Sequence, residues 1–450
     1  VKKALLLAVL NVLPAFAAFA ADDTIHIPFE KYKLGNGMRV VLARDTAVPV
    51  IAIYVIYDVG ARVEEKGHTG FAHLFEHMMF EGSAHVKKGE YFNYIAAGGG
   101  EANGTTHIDY TDFFETLPSN RLALGLWLES DRMRGLTITE ESLKVQKEAV
   151  MQERRKNYDT LPYRPQLSDR WPALIFGNFS NTHSVLGPAG DLNSPTVEDV
   201  EKFFHTWYTP NNAVLVVSGD FDVPAVKKLI AEYFGDIATG PQPKRPDLTE
   251  APRSEGKTET VIDANARLPA VVIGWPAPPR HSVDWYALNV MDAVLTSGES
   301  ARLKLDMVKG AQSLLQSDSG IGWPTATDLD FKEPASYATI LIHKQSFTAR
   351  EMLDKYQSEL DRLVRDGVGS TELERAKAVM RFARAAGAQT VLSRAKLLGQ
   401  HELFDGDPGY GEKDSAGLLA VTSEQIQAAV KKYLTVGRRD VLVIQPGLKQ

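Results

Sequence analysis

The amino-acid sequence predicts an α+β protein of two homologous αβ domains, each a mainly antiparallel sheet packed with helices, produced by internal duplication. Three observations carry this. At 450 residues the chain is too long for one ordinary core. Short β-branched runs are mixed with amphipathic helical stretches along its whole length. Residues 196–217, "TVEDVEKFFHTWYTPNNAVLVV", match residues 422–443, "TSEQIQAAVKKYLTVGRRDVLV", at a constant offset. Each copy opens on a Thr suited to cap a helix and closes in a run suited to a buried strand.

The elements follow in order. Residues 1–21, "VKKALLLAVLNVLPAFAAFAA", place Lys2 and Lys3 before an apolar run that ends in Ala18-Phe19-Ala20. This is the pattern of a secretory signal peptide, so the periplasm is the expected location. Pro14 and the crowded small residues set it apart from a membrane anchor, and no other segment is long and apolar enough to span a bilayer. "MRVVLAR" (38–44) and "VIAIYVIYD" (50–58) predict strands. Helices are expected at 69–81, 87–97, 119–133, 140–157 and 196–207, with a strand at 212–218. Residues 158–195, rich in Pro, Gly and Asn, read as a long surface excursion. The first domain is thus 22–240. The stretch "ATGPQPKRPDLTEAPRSEGKT" (238–258) lacks an apolar period and predicts a linker over 241–258, leaving 259–450 as the second domain.

Composition removes several functions. A net charge of −7 offers no basic excess for a phosphate backbone, so nucleic acid is not an expected partner. With no Cys there is no disulfide framework, thiol nucleophile or cysteine-linked lipid.

The chemistry concentrates in "GFAHLFEHMMFEGS", residues 70–83. At about 100° per residue, Phe71, Leu74, Phe75, Met78 and Met79 share one core-facing stripe. His73, Glu76 and His77 fall on the opposite face. Two imidazoles at i and i+4 can reach one ion, while Glu76 is better placed to hold a water and take its proton. This is the H-x-x-E-H order of an inverzincin. A second alignment sets this stretch against "ALNVMDAVLTSGESA" (287–301), where Asn289, Asp292 and Ala293 replace the three residues. Only the first copy keeps the cluster, which favours function over core packing. A third ligand is needed, and spacing leaves Glu81, Glu101, His107, Glu129, Glu148 and Glu153 open.

With its H-x-x-E-H, its "QKEAVMQERR" helix, its "YTPNNAVLVVSGDF" segment and its duplicated half, nearly the whole chain resembles the pitrilysin, insulin-degrading enzyme and mitochondrial processing peptidase family. The resemblance implies a zinc metalloendopeptidase with His73, His77 and Glu153 as ligands and Glu76 as general base. Two His and one carboxylate also suit manganese or cobalt. Where many members carry a further Glu, this chain has Gln146. "AAGGGEANGTTHIDYTDF" (96–113) lacks the ending of a phosphate loop and resembles the family's edge strand beside the zinc. A peptide substrate adds there as an extra strand, with Ala102 and Asn103 as expected contacts. Complete members carry an Arg and a Tyr in the second half; in "LDMVKGAQSLL" (305–315) Asp306 and Ser313 stand instead. The implied partner is a related subunit carrying that pair, in a heterodimer whose zinc-bearing chain is this one. A non-catalytic scaffold of the same fold is the competing expectation, against which stands Glu76, since a scaffold needs no base.

Overall fold

The computed structural model describes residues 26–447 except 328 and 333, so the predicted leader lies outside the described residues. β1 (Glu30–Lys33), β2 (Arg39–Arg44), β3 (Val50–Tyr57), β4 (Glu101–Thr106), β5 (Thr111–Pro118) and β6 (Ala213–Gly219) form one sheet in the order β1-β2-β6-β3-β5-β4. β7 (Thr258–Asp263), β8 (Ala270–Pro276), β9 (Leu314–Ile321), β10 (Ser336–His343) and β11 (Asp440–Pro446) form a second in the order β7-β11-β8-β10-β9. Apart from β1 the two orders correspond strand for strand. Each sheet has one parallel pair, β2 with β6 and β7 with β11, in the same place. The duplication and the mainly antiparallel sheets are therefore both present. β3 and β6 are buried on both faces, which is why their sequences run apolar instead of alternating.

The first-half helices are α1 (Phe71–Met78), α2 (Glu90–Ala97), α3 (Leu122–Arg134) and α4 (Glu140–Arg154). α1 and α2 begin slightly later than the periodicity predicts, each after a glycine in the left-handed region, Gly70 at φ 86° and Gly89 at φ 78°. α4 ends regular bonding at Arg154 and continues to Asp159 as a wider, π-type turn. The repeated helices Val197–Trp207 and Ser423–Tyr433 are N-capped by Thr196 and Thr422 as expected, with Asp199 and Gln425 closing the capping boxes.

Each sheet carries its own half's helices on one face and a helix of the other half on the opposite face. Helix Val391–Asp405 lays Val391, Ala395 and Leu398 against Val41, Tyr54 and Val216 of the first sheet. In return α5 (Trp171–Ile175) packs Trp171, Leu174 and Ile175 against Val272, Ile340 and Leu442 of the second. Glycines permit both contacts. A Cβ on Gly399 would lie 2.6 Å from Tyr54, and one on Gly274 would lie 2.5 Å from Trp171. This corrects the reading of 158–195 as a surface excursion: Trp171 is 1% exposed. A five-residue helix is too short to show a period among prolines and glycines.

Residues 238–257 form no helix or strand. They are held along their length, with Asn178 donating to the Asp247 carbonyl at 2.6 Å and Arg253 pairing with Asp440 at 2.6 Å. Among the described residues, no helix is long and apolar enough to cross a membrane.

The end of helix Val391–Asp405 is tied to the rest of the second half by charge. His281 reaches Asp405 Oδ1 at 2.9 Å and Asp414 Oδ1 at 2.8 Å. Burial alone would depress its pKa, but the two carboxylates outweigh burial and raise it from 6.5 to about 9. The folded pKa lies above the unfolded one, so this stabilisation is full below about pH 6.5 and is lost as pH rises through about 9. His281→Asn, whose side chain tolerates the φ of 62° at this position, should lower the thermal midpoint more at pH 6 than at about pH 9.5. Equal losses at the two pH values would remove the His281 charge from the account.

Candidate metal centre

α1 is fixed first by its apolar face. Leu74, Phe75 and Met78 are fully buried, and the Phe75 ring lies 4.2 Å from that of Tyr208. Its N-terminus has no side-chain cap of its own, because Gly70 occupies the cap position. The buried carboxylate of Glu64 serves instead, accepting from the Gly70 amide at 2.9 Å and the Ala72 amide at 2.8 Å. His183 sits 3.2 Å behind it. The preceding Thr69 is held through its hydroxyl by Asp191 at 2.7 Å.

The opposite face of α1 is not open to solvent. His73 and Glu76 are 8% and 7% exposed. His73 and His77 face α4, which brings Glu153 to His73 Nε2 at 3.8 Å and to His77 Nε2 at 3.3 Å. One donor atom from each of His73, His77 and Glu153 lies within 4.8 Å of the others, and this is the one such His/Cys/Asp/Glu group among the described residues. Two imidazole nitrogens and a carboxylate oxygen at that spacing suit a single divalent ion of the zinc type. His77 Nδ1 bonds Gln146 Oε1 at 3.1 Å, which turns Nε2 toward Glu153. Gln146 in turn donates to Glu81 at 2.6 Å, and Glu81 pairs with Lys88 at 2.7 Å. The His73 Nδ1 is buried with no hydrogen-bond partner among the described residues.

Glu76 points to the other side of the triad, toward β4. Thr106 donates to its Oε2 at 2.6 Å. Burial pushes the Glu76 carboxyl up to about 7. Burial, followed by the neighbouring His77, pulls His73 down to about 4, while the hydrogen bond from His77 holds Glu153 below the usual carboxylate range. β4 can approach this closely because residue 104 is Gly: a Cβ there would lie 3.2 Å from Glu76 Cγ and 3.0 Å from the Phe113 ring.

β4 is the last strand of its sheet and pairs only with β5. Its outer edge lines a cleft of about 920 Å³ that holds the triad and Glu76. Asn103 lines this cleft, whereas the side chain of Ala102 packs against the first-half core. The far wall comes from the second half, at Trp323–Thr327 and Asp330. Asp330 is anchored to the first half by the Tyr110 hydroxyl at 2.7 Å and His107 at 3.3 Å.

The remaining ligand candidates are elsewhere. Glu129 pairs with Arg132 beside Glu115 in a buried cluster, and Glu101 and Glu148 are exposed. His107 and Glu81 line the cleft but bond Asp330 and Gln146. The duplicated positions have other work: Asp292 accepts from Ser319 at 2.5 Å and Tyr337 at 2.9 Å, and Asn289 bonds the Trp285 carbonyl. Asp306 is paired with Arg362 at 2.8 Å, and Ser313 is fully buried with its hydroxyl directed to the Met307 carbonyl. Sequence reasoning missed Glu64 and Thr106. Glu64 lies before the helix it caps and Thr106 lies on another element, so neither gives a periodic signal.

Residues 39–189 match the model of the insulinase family, peptidase family M16, and residues 194–380 match that of the peptidase M16 inactive domain. The zinc protease PqqE of Helicobacter pylori is 28% identical over 290 residues, which is 62% of this chain and 63%, less than two thirds, of that protein. The uncharacterized zinc protease YmxG of Bacillus subtilis is 24% identical over 407 residues, 90% of this chain and 96% of that protein. The crystal structure of a protease from Helicobacter pylori superposes with a TM-score of 0.85 at 22% identity, over 94% of this chain and 100% of that one, a likeness of fold.

Glu64→Ala should cost about 1–3 kcal/mol by stranding buried amides at the start of α1. Urea denaturation would read this as a lower midpoint, with Glu64→Gln, which keeps one acceptor, losing less. An unchanged midpoint for the Ala variant would mean that the helix start is held without it.

Proposed function

The chain belongs to the insulinase family of peptidases, family M16, and from that premise we propose that it is a zinc-dependent endopeptidase acting on peptides or unfolded segments. The observation that carries this reading is the convergence of His73, His77 and Glu153 from two helices, with Glu76 beside them in a cleft edged by an unpaired strand. His73, His77 and Glu153 would hold the ion. When bound, zinc polarises the scissile carbonyl and acidifies a water. Glu76 takes a proton from the attacking water and delivers it to the departing amine. The Thr106 hydroxyl fixes one Glu76 oxygen, so the other is left for this transfer. The peptide lies extended along β4, bonded through its main chain, with Asn103 as a side-chain contact. Main-chain pairing of this kind accepts many sequences, which suits unfolded segments. Gln146 holds His77 in the tautomer that leaves Nε2 free to ligate.

The protein works as one subunit of a heterodimer. Asp306 and Ser313 occupy the positions of the family's Arg and Tyr, and both are engaged within the second half. A related partner chain carrying that pair completes the substrate grip. The leader over residues 1–21 places the enzyme in the periplasm.

Hydrolysis of an unfolded peptide should need both the zinc-loaded chain and a co-expressed relative bearing the Arg/Tyr pair. Full activity alone would end the heterodimer reading, and inactivity of both together would favour a non-catalytic scaffold. Glu76→Gln should retain zinc and lower turnover by about a hundredfold to ten-thousandfold; an undiminished rate would remove Glu76 from the chemistry.

Zinc affinity, measured by chelator competition, should collapse in Glu153→Ala and fall about 10–100-fold in Gln146→Ala. It should be unaltered in Glu148→Ala, and the opposite ranking would reassign the third ligand.

A further inference from the structure

A side chamber of about 60 Å³ adjoins the cleft. The two share Tyr158 and Val185 of the first half and Pro324 and Thr325 of the second. Tyr158 lies on the π-type turn that continues α4 beyond Glu153. The chamber has the volume of about two waters of the liquid, so it can take an end group but not a continuing chain.

Its charge is opposite to that of the cleft. The cleft is lined by the carboxylates of Glu76, Glu81, Glu153 and Asp330. Among the described residues the chamber is lined by no carboxylate, and it includes Arg62, Arg164 and His183. Arg62 pairs with Asp109 at 2.7 Å and His183 with Glu64 at 3.2 Å. Arg164 is different. It is exposed and makes no hydrogen bond or ion pair among the described residues; its guanidinium lies over the Tyr158 ring, 4.9 Å from the centroid. Stacked in this way, the planar fork keeps its N–H groups for a carboxylate.

The backbone that carries Arg164 is fixed on both sides. Tyr163 is held in the left-handed region at φ 65°. Its amide donates to Asp263 at 2.7 Å and its hydroxyl to the Leu268 carbonyl at 2.9 Å, so the second half pins it at both ends. Pro165 follows. A strained residue held by contacts of this kind presents its neighbour in one place. On the chamber wall Asn181, 6% exposed, spends its Nδ2 on the Leu248 carbonyl at 3.0 Å and on Glu250 at 2.7 Å. Its Oδ1 is buried without a partner among the described residues. The wall therefore offers one cation and one acceptor, and a peptide carboxylate with a nearby N–H satisfies both.

Resting on the peptide substrate argued above, we propose that this chamber binds a carboxylate of that peptide, through Arg164 stacked on Tyr158. The test is fluorescence anisotropy of labelled peptides on the intact, zinc-loaded Glu76→Gln protein. One neutral peptide ends in a carboxamide, a second has the same sequence with a free C-terminal carboxylate, and an amidated series carries a single Glu at each position in turn. An acidic peptide should bind about tenfold more tightly than the neutral one, the value of one charge-assisted hydrogen bond. A gain for the free C-terminus assigns the chamber to the chain end, and a gain within the Glu series assigns it to a side chain. Arg164→Gln should erase the gain and leave the neutral peptide's affinity unchanged, a split that a merely structural role would not produce. Ser168→Asp, four residues along the helical run that begins at Arg164, should erase it too by pairing with the guanidinium. Equal binding of neutral and acidic peptides, or a gain that survives Arg164→Gln, would overturn the subsite and leave the peptidase proposal standing. Failure of every peptide to bind would overturn both. The preference in a protein whose parent form hydrolyses nothing would keep the subsite and end the peptidase reading.

Discussion

The burial of one stripe of α1 against the first sheet is the constraint on which the cleft depends. Burying each of Leu74, Phe75 and Met78 contributes about 1.5–3 kcal/mol. That holds the helix at a single rotation about its axis. Residues at i, i+3 and i+4 cannot turn independently, so the apolar stripe also sets the directions of His73, Glu76 and His77. Glu64 adds a fixed starting point by binding the first amides. Gly104 then lets β4 close in until Thr106 reaches Glu76. The polar cluster is positioned by packing that involves none of its own atoms.

The cleft has two walls because the halves exchange helices. Trp171 of the first half is buried on the second sheet, and helix Val391–Asp405 of the second half covers the first. Separating the halves would expose both apolar contacts, so the wall at Trp323–Thr327 and Asp330 is held facing the triad by the same forces that stabilise each sheet. Polar links reinforce this at the junction, where Lys332 pairs with Asp58 at 2.7 Å and donates its backbone amide to Asp109 at 2.6 Å.

Duplication gave two similar frames, and they were filled differently. In the first, the helix face opposite the core carries two imidazoles that meet Glu153 and a carboxylate that meets Thr106. In the second, Asp292 stands where Glu76 does, but Ser319 and Tyr337 consume its acceptors and it belongs to the packing. Gln146 of α4 completes the first cluster. Its neutral amide accepts from His77 Nδ1 at 3.1 Å and donates to Glu81 at 2.6 Å.

The sequence by itself determined what short-range order can encode. The H-x-x-E-H spacing, its apolar opposite face, the Thr caps and the repeated strands each depend on residues within a few turns of one another, and the structure carries all of them. The third member of the cluster could not be chosen from spacing, since six side chains were open until Glu153 was singled out by family resemblance. Only the tertiary structure brings α4 against α1, turns Ala102 inward while Asn103 lines the cleft, and seats Trp171 on the far sheet. The contacts of Thr106 and Glu64 with α1 are likewise products of elements that meet in space. Periodicity records which face of an element is apolar; it does not record which other element that face will meet, because that choice is made by the packing of all of them together.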